Sequence, residues 1–353
     1  MKTVRAIILA LAVTANGGCS TVHFYGQAVL GHVRVLAGSR DIETLIAEGK
    51  VGPDLSERLA LVGEMRRFAV DELLLPDNDS YTRYTGLDRE HVLWNVFAAG
   101  EFSVSPRTWC YPVAGCVAYR GYFTESSARR YAERIARDGY DVFVGGVDAY
   151  STLGRLSDPV LSTFIDYGEA ETAALIFHEL AHQRLYVPGD TVFNESFATG
   201  VEEAGVERWL ASRGAPEELA RYRRSRGFSD AVTAMMLDHR ERLAALYARP
   251  LDAGAMRAAK REQFDRLHEE YLALLEAWNV EPARGAIERS ALNNAVVASF
   301  DVYHRFTPAF AHILEREGGS LAALYRFSQE LAEMPPGRRH EALMRLVDGE
   351  GKQ

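Results

Sequence analysis

The segment Ala173-Ala174-Leu175-Ile176-Phe177-His178-Glu179-Leu180-Ala181-His182 constrains this chain more than any other. Its residues are nearly all apolar, as expected of a helix buried on most sides. Yet it carries two imidazoles and a carboxylate, which are costly inside a protein unless they are coordinated or hydrogen-bonded. Residues four apart lie on one helix face, so His178 and His182 can both offer a ring nitrogen to one zinc ion. Glu179 stands beside them, where it can take a proton from a metal-activated water and deliver it to a leaving amine. The bland alternative, a helix with two incidental histidines, is disfavoured by the apolar surroundings.

Such a site needs a third ligand. Asn194-Glu195-Ser196-Phe197-Ala198-Thr199-Gly200 opens a second helix-like stretch, with Glu195 thirteen residues after His182. Pro188-Gly189-Asp190 between them reads as a turn that brings the second helix back antiparallel. Two His and one Glu, with the fourth position left to water, form the ligand set of a catalytic zinc site, whereas structural sites are closed. Asn194, Thr199 and Glu202 are then candidates to orient the ligand side chains. A plain solvated Glu202 fits the sequence equally well.

The element Asn-Glu-Ser-Phe-Ala resembles the Asn-Glu-x-Phe-Ala of gluzincin aminopeptidases, with a shorter connection to the first helix. A fuller resemblance is to the predicted aminopeptidase family of bacterial lipoproteins. It is carried by Cys19, Tyr25 to Gly31, Ala149 to Gly154, Asp158-Pro159-Val160-Leu161, the His178–His182 helix, Asn194-Glu195 and Asn293-Asn294-Ala295. The resemblance implies a zincin-like core and a peptidase dependent on one zinc ion, with peptides as substrates.

The rest of the chain frames this segment. Its 353 residues are 47% hydrophobic and 25% charged, which is ordinary for a globular protein and excludes disorder. The formal charge, 40 − 49 = −9, and the lack of a dense basic stripe argue against gripping nucleic-acid phosphates. Lys2 and Arg5 precede the apolar run Ala6 to Val13, then small residues, then Cys19, which is the layout of an export leader over residues 1–18. The apolar run is too short to span a bilayer. Gly17-Gly18-Cys19 resembles a bacterial lipobox, which implies cleavage before Cys19, a lipid on it, and residence in the cell envelope or periplasm. Plain secretion with an incidental Cys19 is the alternative. Exported proteins keep disulfides, and Cys110 and Cys116 flank a Pro/Gly turn that a bridge would close.

Periodicity predicts helices over 21–75, extended chain over 91–123, a short helix over 126–139, a strand over 141–147 and helices from 169 onward. The expected class is α+β and predominantly helical. It forms one unit over 19–353, with an N-terminal lobe (about 20–168) and a helical zinc-binding lobe (about 169–353). Weaker candidates complete the list. Gly145 and Gly146 lie on a strand that an extended peptide could join. Asp148 could hold a substrate ammonium, although an exposed loop carboxylate is the more frequent case. Tyr303 is the candidate oxyanion donor, in competition with Tyr150 and Tyr222. No obligate protein partner is implied. Two rivals remain: a zinc endopeptidase using the same site, and a surface lipoprotein that holds zinc without catalysis.

Overall fold

Along residues 93–100, Trp94, Val96 and Ala98 alternate with Asn95, Phe97 and Ala99, so this strand offers two apolar faces and must be covered on both. The computed structural model of the chain describes residues 18–111, 115–281 and 287–347. Residues 1–17 of the expected leader lie outside the described residues, as does the side chain of Cys19.

The N-terminal elements are α1 (Gly18–Ala37), β1 (Arg40–Asp41), α2 (Ile42–Ala47), α3 (Pro53–Asp71), β2 (Arg83–Thr85) and β3 (Leu93–Gly100). There follow β4 (Trp109–Tyr111), β5 (Gly115–Val117), β6 (Arg120–Tyr122), α4 (Glu125–Arg137), β7 (Tyr140–Val147) and β8 (Val160–Leu161). The remainder is helical: α5 (Glu169–Arg184), α6 (Thr191–Ser212), α7 (Pro216–Tyr247), α8 (Ala253–Trp278), α9 (Asn294–His304), α10 (Thr307–Arg316), α11 (Leu321–Glu333) and α12 (Pro336–Val347). The molecule is mostly helical with small sheets, an α+β architecture.

The central sheet is antiparallel in the order β6-β3-β7, with Asn95 opposite Gly145 and Trp94 opposite Gly146. On one face, Val96 and Ala98 bury against Phe24 of α1 and against Ala128, Tyr131, Ala132 and Ile135 of α4. On the other face, the Phe97 ring meets Phe143 at 5.8 Å and Tyr303 of α9 at 6.2 Å. The sheet thus separates an outer pair of helices from the layer that holds the candidate site.

A larger core unites the rest. Val62 and Met65 of α3, Phe164, Phe177 of α5, Phe197 of α6, Phe310 of α10 and Leu343 of α12 belong to one buried cluster, which takes residues from both sides of position 168. Helices α7 and α8 pack as a hairpin around Met236, Leu243, Phe264 and Leu267 and share that smaller core with Val297 of α9.

Cys110 and Cys116 face each other across β4 and β5 and are joined by a disulfide. This hairpin leans on the connection between α5 and α6. Gly115 has φ +73°, and a Cβ there would lie 2.5 Å from the Gly189 nitrogen. Gly115→Ala should therefore cost about 2–4 kcal/mol from left-handed strain and overpacking. Gly214, at φ +64° with open space around it, should cost only about 1–2 kcal/mol on the same change. Urea unfolding of the two variants side by side measures the difference.

Candidate metal centre

Helix α5 starts after Gly168 with Glu169 and Glu171 in its first turn, where carboxylates suit the helix dipole. Ile176, Phe177, Leu180 and Ala181 are buried. The chain leaves the helix at Leu185, which is extended, and returns through a short loop. Two devices fix that loop. The Asn194 side chain accepts from the Val187 nitrogen at 2.8 Å and donates to the Val187 carbonyl at 2.9 Å. Asp190 caps α6 by accepting from the Phe193 nitrogen at 3.2 Å, and its carboxylate is itself clamped by Arg339 of α12 at 2.7 and 2.8 Å. Arg339 is only 2% exposed and also donates to the Ala332 and Met334 carbonyls.

The two helices then run antiparallel, with Trp209 bonded to Glu169 at one end and Glu195 meeting His182 at the other. The pairing brings three donor atoms together. His178 Nε2 lies 3.2 Å from His182 Nε2 and 3.4 Å from Glu195 Oε2, and His182 Nε2 lies 3.6 Å from the same oxygen. Bonds of about 2.0–2.1 Å in a tetrahedral zinc site set neighbouring donors about 3.3 Å apart, so the triangle fits such an ion without rearrangement. The donor set, two imidazoles and one carboxylate, also suits zinc.

The surroundings hold this triangle. Glu202, two turns after Glu195, meets His178 Nδ1 at 2.9 Å, which turns Nε2 inward and makes the ring more basic. His182 Nδ1 is buried with no hydrogen-bond partner among the described residues, so Glu202 acts on one histidine only. Burial opposes a charge on His178, but Glu195 and Glu202 outweigh it and its pKa stands well above the ordinary value. Burial likewise opposes the Glu195 charge, and His182 and His178 overcome it, so the carboxyl titrates below the usual range. Glu179 behaves differently: burial raises its pKa, and the two histidines offset only part of the rise. A carboxylate whose pKa is raised by burial holds a proton more readily, which suits a group that must both take and give one.

A cavity of about 260 Å³ opens in front of the triangle. Glu179 lines it, as do Asn95, Tyr119, Tyr150, Tyr186 and Tyr303. Burial, with Glu195 nearby, raises the Tyr303 pKa, so its phenol stays protonated; it is hydrogen-bonded to Asn95. Tyr150 bonds to His32 Nδ1 of α1 at 2.6 Å. Tyr222 faces a separate cleft beyond His178, lined also by Glu202 and Arg226. His178 and Glu179 line both spaces.

Other expected residues lie apart. Gly145 and Gly146 are at the C-terminal end of edge strand β7, with Gly145 opposite Asn95, but it is Val147 and Ala149 after them that line the cavity. Asp148 turns away: its carboxylate meets His91 at 2.5 Å and accepts from the Tyr167 hydroxyl at 2.6 Å. Thr199 is buried one turn on from Glu195. Sequence reasoning missed Asn95, Tyr119 and Tyr186. Only Tyr186, four residues after His182, left a local signal.

The chain matches, over residues 23–343, the model of the family described as "Putative aminopeptidase". The chain belongs to that family. Membership points to peptide hydrolysis, in keeping with a carboxylate beside a three-donor triangle. No curated protein and no solved structure is detectably similar to the chain.

The buried clamp yields a test. Arg339→Met takes the buried guanidinium from Asp190 and leaves it only the His340 ring at 2.9 Å, and the about 3–5 kcal/mol lost when a buried pair is broken sets the upper bound on the cost. Asp190→Asn keeps an oxygen for the helix cap but strands Arg339, and a loss of the same order is expected. Chemical denaturation of both variants reads it. Losses under 1 kcal/mol would show that the pair is not what fixes the start of α6.

Proposed function

We infer that the protein is a zinc-dependent peptidase of the cell envelope, exported and held to a membrane by lipid on Cys19. The observation that carries this reading is the triangle of His178, His182 and Glu195, with sides of 3.2–3.6 Å and Glu179 at its edge. The zincin-like description rests on the same arrangement.

Zinc held by these three residues would supply Lewis acidity at the scissile carbonyl and lower the pKa of a water. The protein's own groups do the rest. Glu179 accepts the water's proton as the peptide carbonyl is attacked and passes it to the departing nitrogen. Tyr303, kept protonated, donates to the oxygen that gains charge in the tetrahedral intermediate. Asn95 fixes the orientation of that phenol. Glu179, Glu195 and Tyr303 are largely buried, which strengthens these interactions. A site holding zinc for structure alone has no use for Glu179, so catalysis is favoured over a binding lipoprotein.

Aminopeptidase action is the first reading, in line with the family. One observation favours cleavage of internal bonds instead. Asp148, the ammonium anchor that the sequence offers, is already engaged by His91 and Tyr167, and Glu202, another carboxylate beside the site, is engaged by His178. Cleavage of one peptide with a free and with an acetylated N-terminus separates the two. An aminopeptidase loses at least tenfold in kcat/KM on acetylation, because an unfilled ammonium site forfeits a charge-assisted bond; equal rates establish the endopeptidase.

Catalysis and binding separate in two variants. Glu179→Gln keeps all three ligands and should retain near-normal zinc while turning over at least about 100-fold more slowly. Glu195→Gln should lose zinc, since a neutral amide is a poor ligand. Metal content and turnover measured together decide it, and wild-type activity in Glu179→Gln would remove the hydrolytic mechanism.

A further inference from the structure

The outer layer of the sheet has a use that the catalytic site does not explain. Helix α1 is apolar on both sides. Phe24, Gly31 and Val35 face the protein, with Gly31 so tight against the Phe123 ring that no Cβ would fit. The opposite stripe, at helical spacing, exposes Val29 by 61%, Leu30 by 59% and Val33 by 53%. Exposed large apolar residues clustered on one helix mark a contact surface.

Its neighbour α4 is of opposite character. It carries four arginines against two glutamates in a chain whose net charge is −9. Arg129 pairs with Glu125, but Arg130, Arg134 and Arg137 make no ion pair among the described residues, and all are exposed. The two helices cover the same face of the sheet. Phe24 and Tyr131 bury in one cluster with Tyr122, and the Arg120 guanidinium lies 4.0 Å from the Phe24 ring and 4.7 Å from that of Tyr131. Their outward surfaces therefore lie on the side of the sheet opposite the face where Phe97 meets Tyr303.

We propose that the outer surface of α1 and α4 docks on an anionic phospholipid bilayer, with Val29, Leu30 and Val33 entering the interface and Arg130, Arg134 and Arg137 meeting the headgroups. An apolar helical stripe beside a basic one is the combination that interfacial binding requires. A protein partner would explain the apolar stripe, yet the unpaired arginines on an otherwise acidic molecule match a surface of dense negative charge. The surface works with or without lipid on Cys19. That lipid, if attached, would sit on the first turn of the same helix and add the second of the two signals that stable attachment needs.

The test uses residues 19–353 with Cys19→Ser, expressed without the leader and so carrying no lipid, and 3:1 phosphatidylethanolamine/phosphatidylglycerol vesicles against phosphatidylcholine vesicles. Co-sedimentation should be at least tenfold stronger with phosphatidylglycerol and should fall away by 0.5 M salt, where the Debye length is about 4 Å. Arg130→Glu/Arg134→Glu/Arg137→Glu should abolish the preference for phosphatidylglycerol, and Leu30→Asp/Val33→Asp should abolish binding to both. Circular dichroism and zinc content confirm that each variant is folded. No sedimentation with either vesicle overturns the proposal, as does binding that ignores both headgroup charge and the arginine changes. A dimer in solution that Leu30→Asp/Val33→Asp dissociates also overturns it, since the stripe would then be an interface between copies. Detergent partitioning of the unmodified protein reads lipid attachment at Cys19 separately.

Discussion

Two imidazoles and a carboxylate cannot be packed within 3.6 Å of one another in a protein interior unless a cation or protons occupy the space between them. That demand governs the arrangement around it. It requires α5 and α6 to lie antiparallel in one register, because a shift by one residue would carry Glu195 round the helix and away from both histidines. Stray charge in the core is costly, so the helices bearing it are fastened by groups that are themselves satisfied.

The fastening comes from distant parts of the chain. Asn194 ties the loop to its own helix through Val187, and Asp190 is held from the far C-terminal end by Arg339. Glu202 anchors His178 from the next turns of α6. The disulfide hairpin abuts the same loop at Gly189. On the open side, the sheet contributes Asn95 and, through the segment between β5 and β6, Tyr119. The sheet's two faces thus divide the work: one lines the site, and the other carries the exposed apolar and basic helices.

Much of the centre was legible in the sequence because it is local. His178, Glu179 and His182 are adjacent on one helix, and Glu195 and Glu202 follow on the next at helical spacing, so periodicity alone brings them near one another. The α+β layout was legible for the same reason, through runs of period 2 and 3.6. What could not be read depends on pairings far apart in sequence. Asn95 reaches the cavity only because β3 is covered on both faces, and Tyr119 only because the chain doubles back through β5 and β6. Arg339 looks like any surface arginine until α12 is packed against Asp190. Asp148 sits directly after the edge strand, as a substrate anchor would, but its direction is set by His91 and Tyr167, 57 and 19 residues away.

The central claim is that His178, His182 and Glu195 together hold one zinc ion beside Glu179. X-ray absorption at the zinc edge of the purified protein, with the metal content measured on the same sample, tests it most directly. The account predicts one zinc per chain with two imidazole nitrogens at about 2.0–2.1 Å, oxygen completing the shell and no sulfur. A protein that takes up no zinc, or a spectrum with sulfur or a single imidazole in the shell, would contradict it.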